Sequence, residues 1–481
     1  MNSYEGICME KQIEPGHSDK QRWLILLLIM GGVFLSTMDS GMVNIALPTI
    51  MASFSVDMGQ TNLVVIIYLL TITATLVFWG TVSDRYGKGR IYLLGLVTFC
   101  CGAAGCGFSS SFGFLLFGRF IQALGGAMMM SSGPALIKVV FPPDSIGRSL
   151  GLIGIATACG LMFGPLVSGL LLVRYSWQSI FFVTVPVAVI LYLFGRFFLW
   201  KSLNTPQQNA CGDFDWRGSF YWLFLVITLV VSLNGLQYFP IPAAVGGGLL
   251  LIFLSVRFIW VEKHTINPII PMELIREYSV FVALVTAAVS FAALFVVLVL
   301  LPYYLKFILL VKSDKIGFVI MALPATLTVV SPLSGYLYDR IGGRYLTTAG
   351  LVLCAAVLFR LAFISPDTSL TFIAVNLALL GGGQSLFLSP NSASVLSQVN
   401  DRYSGIASGI LATARNFGMV FGTTLATVLF TFFMNYYGDG TRLEKYSAVN
   451  EADFLLSLKA TFLVAACLVF ASAVLSFSRK N

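Results

Sequence analysis

Charge is what this chain has least of: Asp, Glu, Lys and Arg together make up 10% of its 481 residues. A water-soluble domain carries about 25%, so the chain lacks the polar surface to face water. Histidine is scarcer still, at two residues, and none of the eight cysteines shows metal-ligand spacing, which argues against a metal centre. Cys100, Cys101, Cys106, Cys159, Cys354 and Cys467 fall inside apolar runs and read as small hydrophobes. A membrane enzyme would need a nucleophile–base pair or metal ligands within the spans, and two loop histidines supply neither. An ATP-driven pump would need Gly-x4-Gly-Lys-Ser/Thr, and the sequence contains none. No cofactor is expected.

Hydrophobic residues are abundant, at 57%. Apolar runs long enough to cross ~30 Å of hydrocarbon recur throughout, so the expected fold is an all-α polytopic membrane protein. Fourteen spans are expected, near 23–45, 61–82, 91–109, 113–138, 147–172, 178–199, 216–236, 241–261, 279–304, 315–338, 345–364, 369–397, 404–432 and 454–477. The polar first 22 residues lack a basic n-region and a cleavage site, so the first span is expected to remain as a mature helix. With the N-terminus inside, inner segments hold 19 Lys and Arg and outer segments 8. That bias puts both termini in the cytoplasm and accounts for the net charge of +8 without nucleic acid.

The chain also repeats itself. "GTVSDRYGKGR" (80–90) returns as "GYLYDRIGGR" (335–344) at an offset of 255. "LGGAMMMSSGP" (124–134) returns as "LGGGQSLFLSP" (380–390) at 256, and "GLIGIATACGLMFG" (151–164) as "GILATARNFGMVFG" (409–422) at 258. Three matches in order at nearly one offset mean two six-helix halves related by duplication. The expected organisation is an N-terminal tail (1–22), a first bundle (23–200), a linker with two extra spans (201–278), a second bundle (279–477) and a short tail (478–481). Parallel halves about an axis along the membrane normal suit a transporter that rocks around a central cavity.

These stretches resemble the major facilitator superfamily, and within it the fourteen-span drug:proton antiporters of the quaternary-ammonium and EmrB-like branch. "GTVSDRYGKGR" is similar to the family's cytoplasmic signature between the second and third spans. "GRFIQALGGA" (118–127) resembles its fourth-span motif, "GLMFGPLVSG" (160–169) its fifth-span antiporter motif, and "MDSGMVNIALP" (38–48) a first-span motif. The sequence departs modestly: Gly89 stands where a second basic residue is usual, and Ser168 replaces the first of a closing Gly pair.

Asp39 is the most telling residue. No Asp, Glu, Lys or Arg occurs between Arg22 and Asp39, or between Asp39 and Asp57. A charge at mid-bilayer costs ~2.5–3.5 kcal/mol on the insertion scale, so it persists mostly where it has a task; the alternative is a structural carboxylate near a helix end. Arg119 lies six residues into its span, and its repeat-equivalent is Val375. The resemblance implies proton coupling for Asp39 and Arg119, against a reading of Arg119 as a snorkelling side chain. Gln122 shares the Arg119 face at i+3. Asn44, Gln122, Met129 and Arg415 are the residues assigned to a substrate cavity; the resemblance implies that Arg415 belongs to a thirteenth-span motif, "ARNFG", and it could either meet an anionic substrate or pair with a polar backbone. Gly80, Asp84, Arg85 and Gly87, with Asp339 and Arg340 in the repeat, are implied to form a latch between helix ends. Gly160, Gly164, Pro165 and Gly169 give the fifth span a small-residue stripe for tight packing.

The expected function is proton-coupled efflux of amphipathic, lipophilic compounds, cationic ones foremost, from the cell inner membrane. The partners implied are small molecules, protons and the bilayer, with a periplasmic adaptor protein should the cell be Gram-negative. Export of a particular metabolite, siderophore or organic anion is the alternative within transport. Uptake is disfavoured by the fifth-span motif, and a non-transporting sensor has no need of a duplicated fold with a buried acid.

Overall fold

The computed structural model describes residues 19–198, 215–235, 241–265, 276–397, 404–438 and 451–479. The expected tail (1–22) falls almost wholly outside the described residues, and the segment 199–214 between the first bundle and the extra helices lies entirely outside them. Among the described residues every long element is helical: α1 (Asp19–Phe54), α2 (Met58–Tyr86), α3 (Lys88–Gly107), α4 (Phe112–Val140), α5 (Pro143–Arg174), α6 (Ser179–Phe182) and α7 (Thr184–Phe198). There follow α8 (Trp216–Gly235), α9 (Ile241–His264), α10 (Tyr278–Tyr303), α11 (Ser313–Ile341), α12 (Gly343–Leu361), α13 (Leu370–Ser397), α14 (Ser404–Tyr437) and α15 (Glu451–Phe477).

Thirteen spans among the described residues are long and apolar enough to cross a bilayer, and α8 adds a further 20-residue helix. Two boundaries differ from expectation. The sixth span is broken into α6 and α7, and α10 ends in a π turn, Tyr304–Ile308. Polar residues set helix ends where apolar runs stop: Gln60 N donates to Asp57 Oδ1 at 2.7 Å, and Asp57 N donates back to Gln60 Oε1 at 3.2 Å, a capping box opening α2. Gly87 and Gly342, equivalent positions of the repeat, both turn the chain with positive φ, 100° and 83°, which a side chain would strain.

Helix packing follows the duplication. In the first half α1 lies on α5, and α4 sits between α2 and α3. In the second, α10 lies on α14, and α13 sits between α11 and α12. The halves meet through α5 against α11 and through α2 against α14. Since α11 is the repeat of α2 and α14 the repeat of α5, these two seams are the same contact made twice, as a two-fold axis requires. The extra pair stands to one side. α8 packs on α9, α2 and α14, and Trp222 Nε1 donates to Thr73 O at 3.4 Å. On α9, Val245, Leu249, Ile252, Phe253 and Val256 are exposed, an apolar face suited to lipid.

Candidate functional site: a buried ion pair and a sealed end

The apolar stretch of α1 carries Asp39 into the core of the first half, and α4 brings Arg119 and Gln122 to it from one helix turn. Arg119 Nη1 donates to Asp39 Oδ2 at 2.7 Å and to Gln122 Oε1 at 2.8 Å. Gln122 Nε2 donates to the other carboxylate oxygen, Asp39 Oδ1, at 2.9 Å. The three side chains thus close a ring, with Asp39 and Gln122 at 0% exposure and Arg119 at 1%. Arg119 is held further by its Nε, which donates to Val64 O at 3.2 Å, and by the ring of Tyr68, whose centroid lies 4.1 Å from Cζ. Tyr68 in turn shares a hydrogen bond with Ser36, 2.9 Å. A buried pair of this kind is tolerable because each charge finds its opposite and Gln122 and the Val64 carbonyl add hydrogen bonds to it.

The sequence names Asp39, Arg119 and Gln122; it gives no sign of Val64, Tyr68 or Ser36, whose roles depend on α2 crossing α4. Two residues assigned to a substrate cavity have close neighbours in this structure. Gln122 is occupied within the ion-pair ring. Met129 is 1% exposed and packs among α1 and α3, its side chain beside Gly32 and Gly95; packing between neighbouring helices claimed it. Asn44 is buried with Oδ1 unpartnered. Arg415 Nη2 donates to Ser392 Oγ at 2.6 Å, and its buried Nε meets no acceptor. Gly80 lies near the end of α2, and Gly87 joins α2 to α3. Arg85 is exposed, and Arg340 lies over the Tyr336 ring, Cζ 4.7 Å from its centroid. Asp84 and Asp339 occupy the last turns of α2 and α11, with side chains outside the described residues.

The α5 stripe serves two neighbours. A Cβ at Gly164 would come within 2.6 Å of Met38 O on α1, and one at Gly160 would overlap Thr37. A Cβ at Gly169 would lie 2.6 Å from Ser313 O on α11, and one at Gly317 would overlap the Pro165 carbonyl. The helix is therefore pressed against its own half and against the other. In the repeat, Gly418 and Gly422 let α14 approach the Ala288 and Ala292 carbonyls of α10, the counterpart of α5 on α1.

Hydrogen bonds joining the halves cluster at the end of the bundle away from the described termini. Asn62 Nδ2 donates to Thr427 Oγ1 at 2.8 Å, Tyr303 Oη donates to Asn62 Oδ1 at 3.3 Å, and Lys306 Nζ donates to Thr49 Oγ1 at 2.7 Å. With the α5–α11 contact these seal that end. Asn62 and Lys306 are polar residues at the margins of apolar runs, a signal that was available but unassigned.

The duplicated halves, the seams related by two-fold symmetry and the buried pair have a match among known families. The family model described as Major Facilitator Superfamily matches residues 29–423 and 283–480. The chain belongs to the Major Facilitator Superfamily. Among curated members of similar sequence is the riboflavin transporter RibZ of Clostridioides difficile (strain 630), 27% identical over 464 residues, covering 96% of this chain and 99% of that protein. Another is the multidrug resistance protein Stp of Mycobacterium tuberculosis (strain CDC 1551 / Oshkosh), 30% identical over 419 residues and covering 84% and 76%. Among solved structures, a bacterial homologue of the human lysosomal transporter Spinster, inward-facing and unoccupied, superposes with a TM-score of 0.69 at 15% identity, covering 96% and 97%. This superfamily member is a multi-pass membrane transporter of small molecules and not an enzyme.

Proposed function

We propose that the chain is a proton-coupled exporter of amphipathic small molecules, of the fourteen-span drug:proton antiporter branch, in the plasma membrane with both termini cytoplasmic. The Asp39–Arg119 pair is the observation that carries this reading. A carboxylate held by one guanidinium at 2.7 Å and one amide at 2.9 Å is a two-state element, because protonation removes the charge that holds Arg119. Asp39 rides on α1, which packs on α5 through Gly160 and Gly164, and α5 is pressed on α11 near Gly169 and Gly317. A change at Asp39 thus has a packed route to the seam between the halves. With the termini inside, the sealed end is the outer gate. Asp39 takes a proton when that gate opens and releases it when the inner side is accessible, while Asp84, Arg85 and Gly87 and their repeats bias the exchange between states.

The test is substrate-dependent proton movement in proteoliposomes holding the purified chain, with Asp39→Asn as comparison. Wild type should acidify the interior of outside-in vesicles as substrate leaves, and the variant should not. Identical proton movement in both would remove Asp39 from the coupling. A second reading, a dedicated metabolite exporter, is supported by the relative named as a riboflavin transporter, which aligns over 96% of this chain. A substrate panel separates the two: one molecule transported, or many.

A further inference from the structure

Charges inside the spans do not balance. In the first half Asp39 and Arg119 cancel. In the second half acids stand at or near helix ends, at Asp314, Asp339, Asp367, Asp401, Glu451 and Asp453, and none occurs in 278–313, 315–338, 341–366, 368–400, 402–438 or 454–481, yet α14 carries Arg415 and the π turn carries Lys306. Both rest on neutral partners, Ser392 at 2.6 Å and Thr49 at 2.7 Å. A cation withdrawn from water without an anion is costly; it persists where the counter-charge arrives with something else.

The orphaned polar atoms around Arg415 have the same polarity. Arg415 Nε, Asn416 Nδ2 on the same helix and Gln384 Nε2 on α13 are buried donors without acceptors. Asn416 is 7% exposed and Gln384 1%, and the Gln384 oxygen is already taken by Ser290 Oγ at 2.6 Å. Nearer the sealed end Asn376 leaves an oxygen unpartnered instead. From Ser392, which holds Arg415, to Gln384 is about 12 Å along α13 at ~1.5 Å per residue. Phe417 and Phe421, the next aromatic residues on α14 after Asn416, stack with ring centroids 6.3 Å apart.

We propose that the cargo is an organic anion, a carboxylate, sulfonate or phosphate on an apolar body, whose acidic group is bound by Arg415 and Asn416 while Gln384 takes a carbonyl or similar acceptor further along. This names the substrate class of the export reading and rests on it, and it runs against the expectation of cationic cargo. A cationic amphipath would face Arg415 and Lys306 unscreened, and the acid it would need, Asp39, is already engaged by Arg119 and Gln122.

Three probes sharing one apolar body decide the matter: 1-pyrenebutyrate, its neutral amide and its trimethylammonium analogue, each bound at equilibrium to the purified full chain in nanodiscs. Wild type should bind the carboxylate at least tenfold tighter than the amide. R415Q should bring those two within about twofold of each other, and R415K should keep part of the preference. Should R415Q fail to fold, R415K and N416A carry the test, N416A weakening the carboxylate and sparing the amide. Equal binding of all three probes, a preference for the cation, or an unaltered preference in R415Q or N416A overturns the proposal. Gradient-driven flux separates it from the reading beneath. Arg415-dependent carboxylate binding without uphill accumulation sinks proton-coupled export and keeps the anion site. Accumulation of the trimethylammonium analogue alone does the reverse.

Discussion

Asp39→Asn is nearly isosteric, so its effect isolates charge and proton exchange from shape. Asn can present its oxygen to only one of its two partners. Either orientation of the amide sets an N–H against another N–H, that of Arg119 Nη1 or of Gln122 Nε2, which now lie at 2.7 and 2.9 Å from the carboxylate. Breaking a buried pair by removing one partner costs about 3–5 kcal/mol. The lower end applies here, because Arg119 keeps Gln122 Oε1 at 2.8 Å, Val64 O at 3.2 Å and the face of Tyr68. The variant should insert and fold with a lowered thermal midpoint in detergent, and Asp39→Asn combined with Arg119→Gln should recover most of it. Coupling should not recover. One proton entering supplies ~2.3 kcal/mol per 100 mV and ~1.4 kcal/mol per pH unit. At 100 mV and one pH unit that is about 3.7 kcal/mol for an uncharged cargo, a concentration ratio of roughly 500 at ~1.4 kcal/mol per decade, and a monoanion leaving adds a further ~2.3 kcal/mol. In everted vesicles energised to that extent, wild type should accumulate substrate at least several-hundredfold, and either variant should only equilibrate it. Uphill accumulation by Asp39→Asn at the wild-type rate, sensitive to a protonophore, would make Asp39 structural and move the coupling acid elsewhere.

Gly317→Val should hold α11 off the Pro165 carbonyl and keep the far end from closing; transport is lost, and a cysteine placed at Thr427 in a cysteine-free background reacts faster with an impermeant maleimide from outside. Asn62→Ala removes two hydrogen bonds across the seam, each worth ~0.5–1.5 kcal/mol net, and should shift the access equilibrium by roughly five- to 150-fold away from the sealed state; distances between spin labels at the far ends of α2 and α14 report it. Asp84→Asn should slow transport while substrate affinity stays near wild type, since a latch biases access without touching cargo; an equal loss of affinity would place Asp84 in the binding site.

What could be read in advance shares one physical property: the cost of a misplaced group is local and large. Asp39 stands out because 16 residues before it and 17 after it carry no charge, and nothing but a partner or a cavity excuses an acid there. Arg119 stands out for the same reason, and its absence from the repeat, at Val375, marks it as particular to one half. Gly87 and Gly342 could be matched by offset alone, and both adopt positive φ. Met129 was less legible, because a methionine in an apolar helix looks alike whether it faces a cavity or a neighbour, and the Gly32 and Gly95 surfaces it packs beside belong to other helices.

Sequence by itself determined the all-helical membrane fold, the internal repeat and the presence of one unusual acid, because apolar length and repetition act along the chain. Only the tertiary structure decided that Asp39 meets Arg119 across 80 positions, that α5 presses on both α1 and α11, and that Arg415 rests on the neutral hydroxyl of Ser392. Those are relations between faces of different helices. Hydrophobicity is without direction: it commits each helix to the bilayer, and packing at close range, glycine against carbonyl and guanidinium against carboxylate, selects which faces meet.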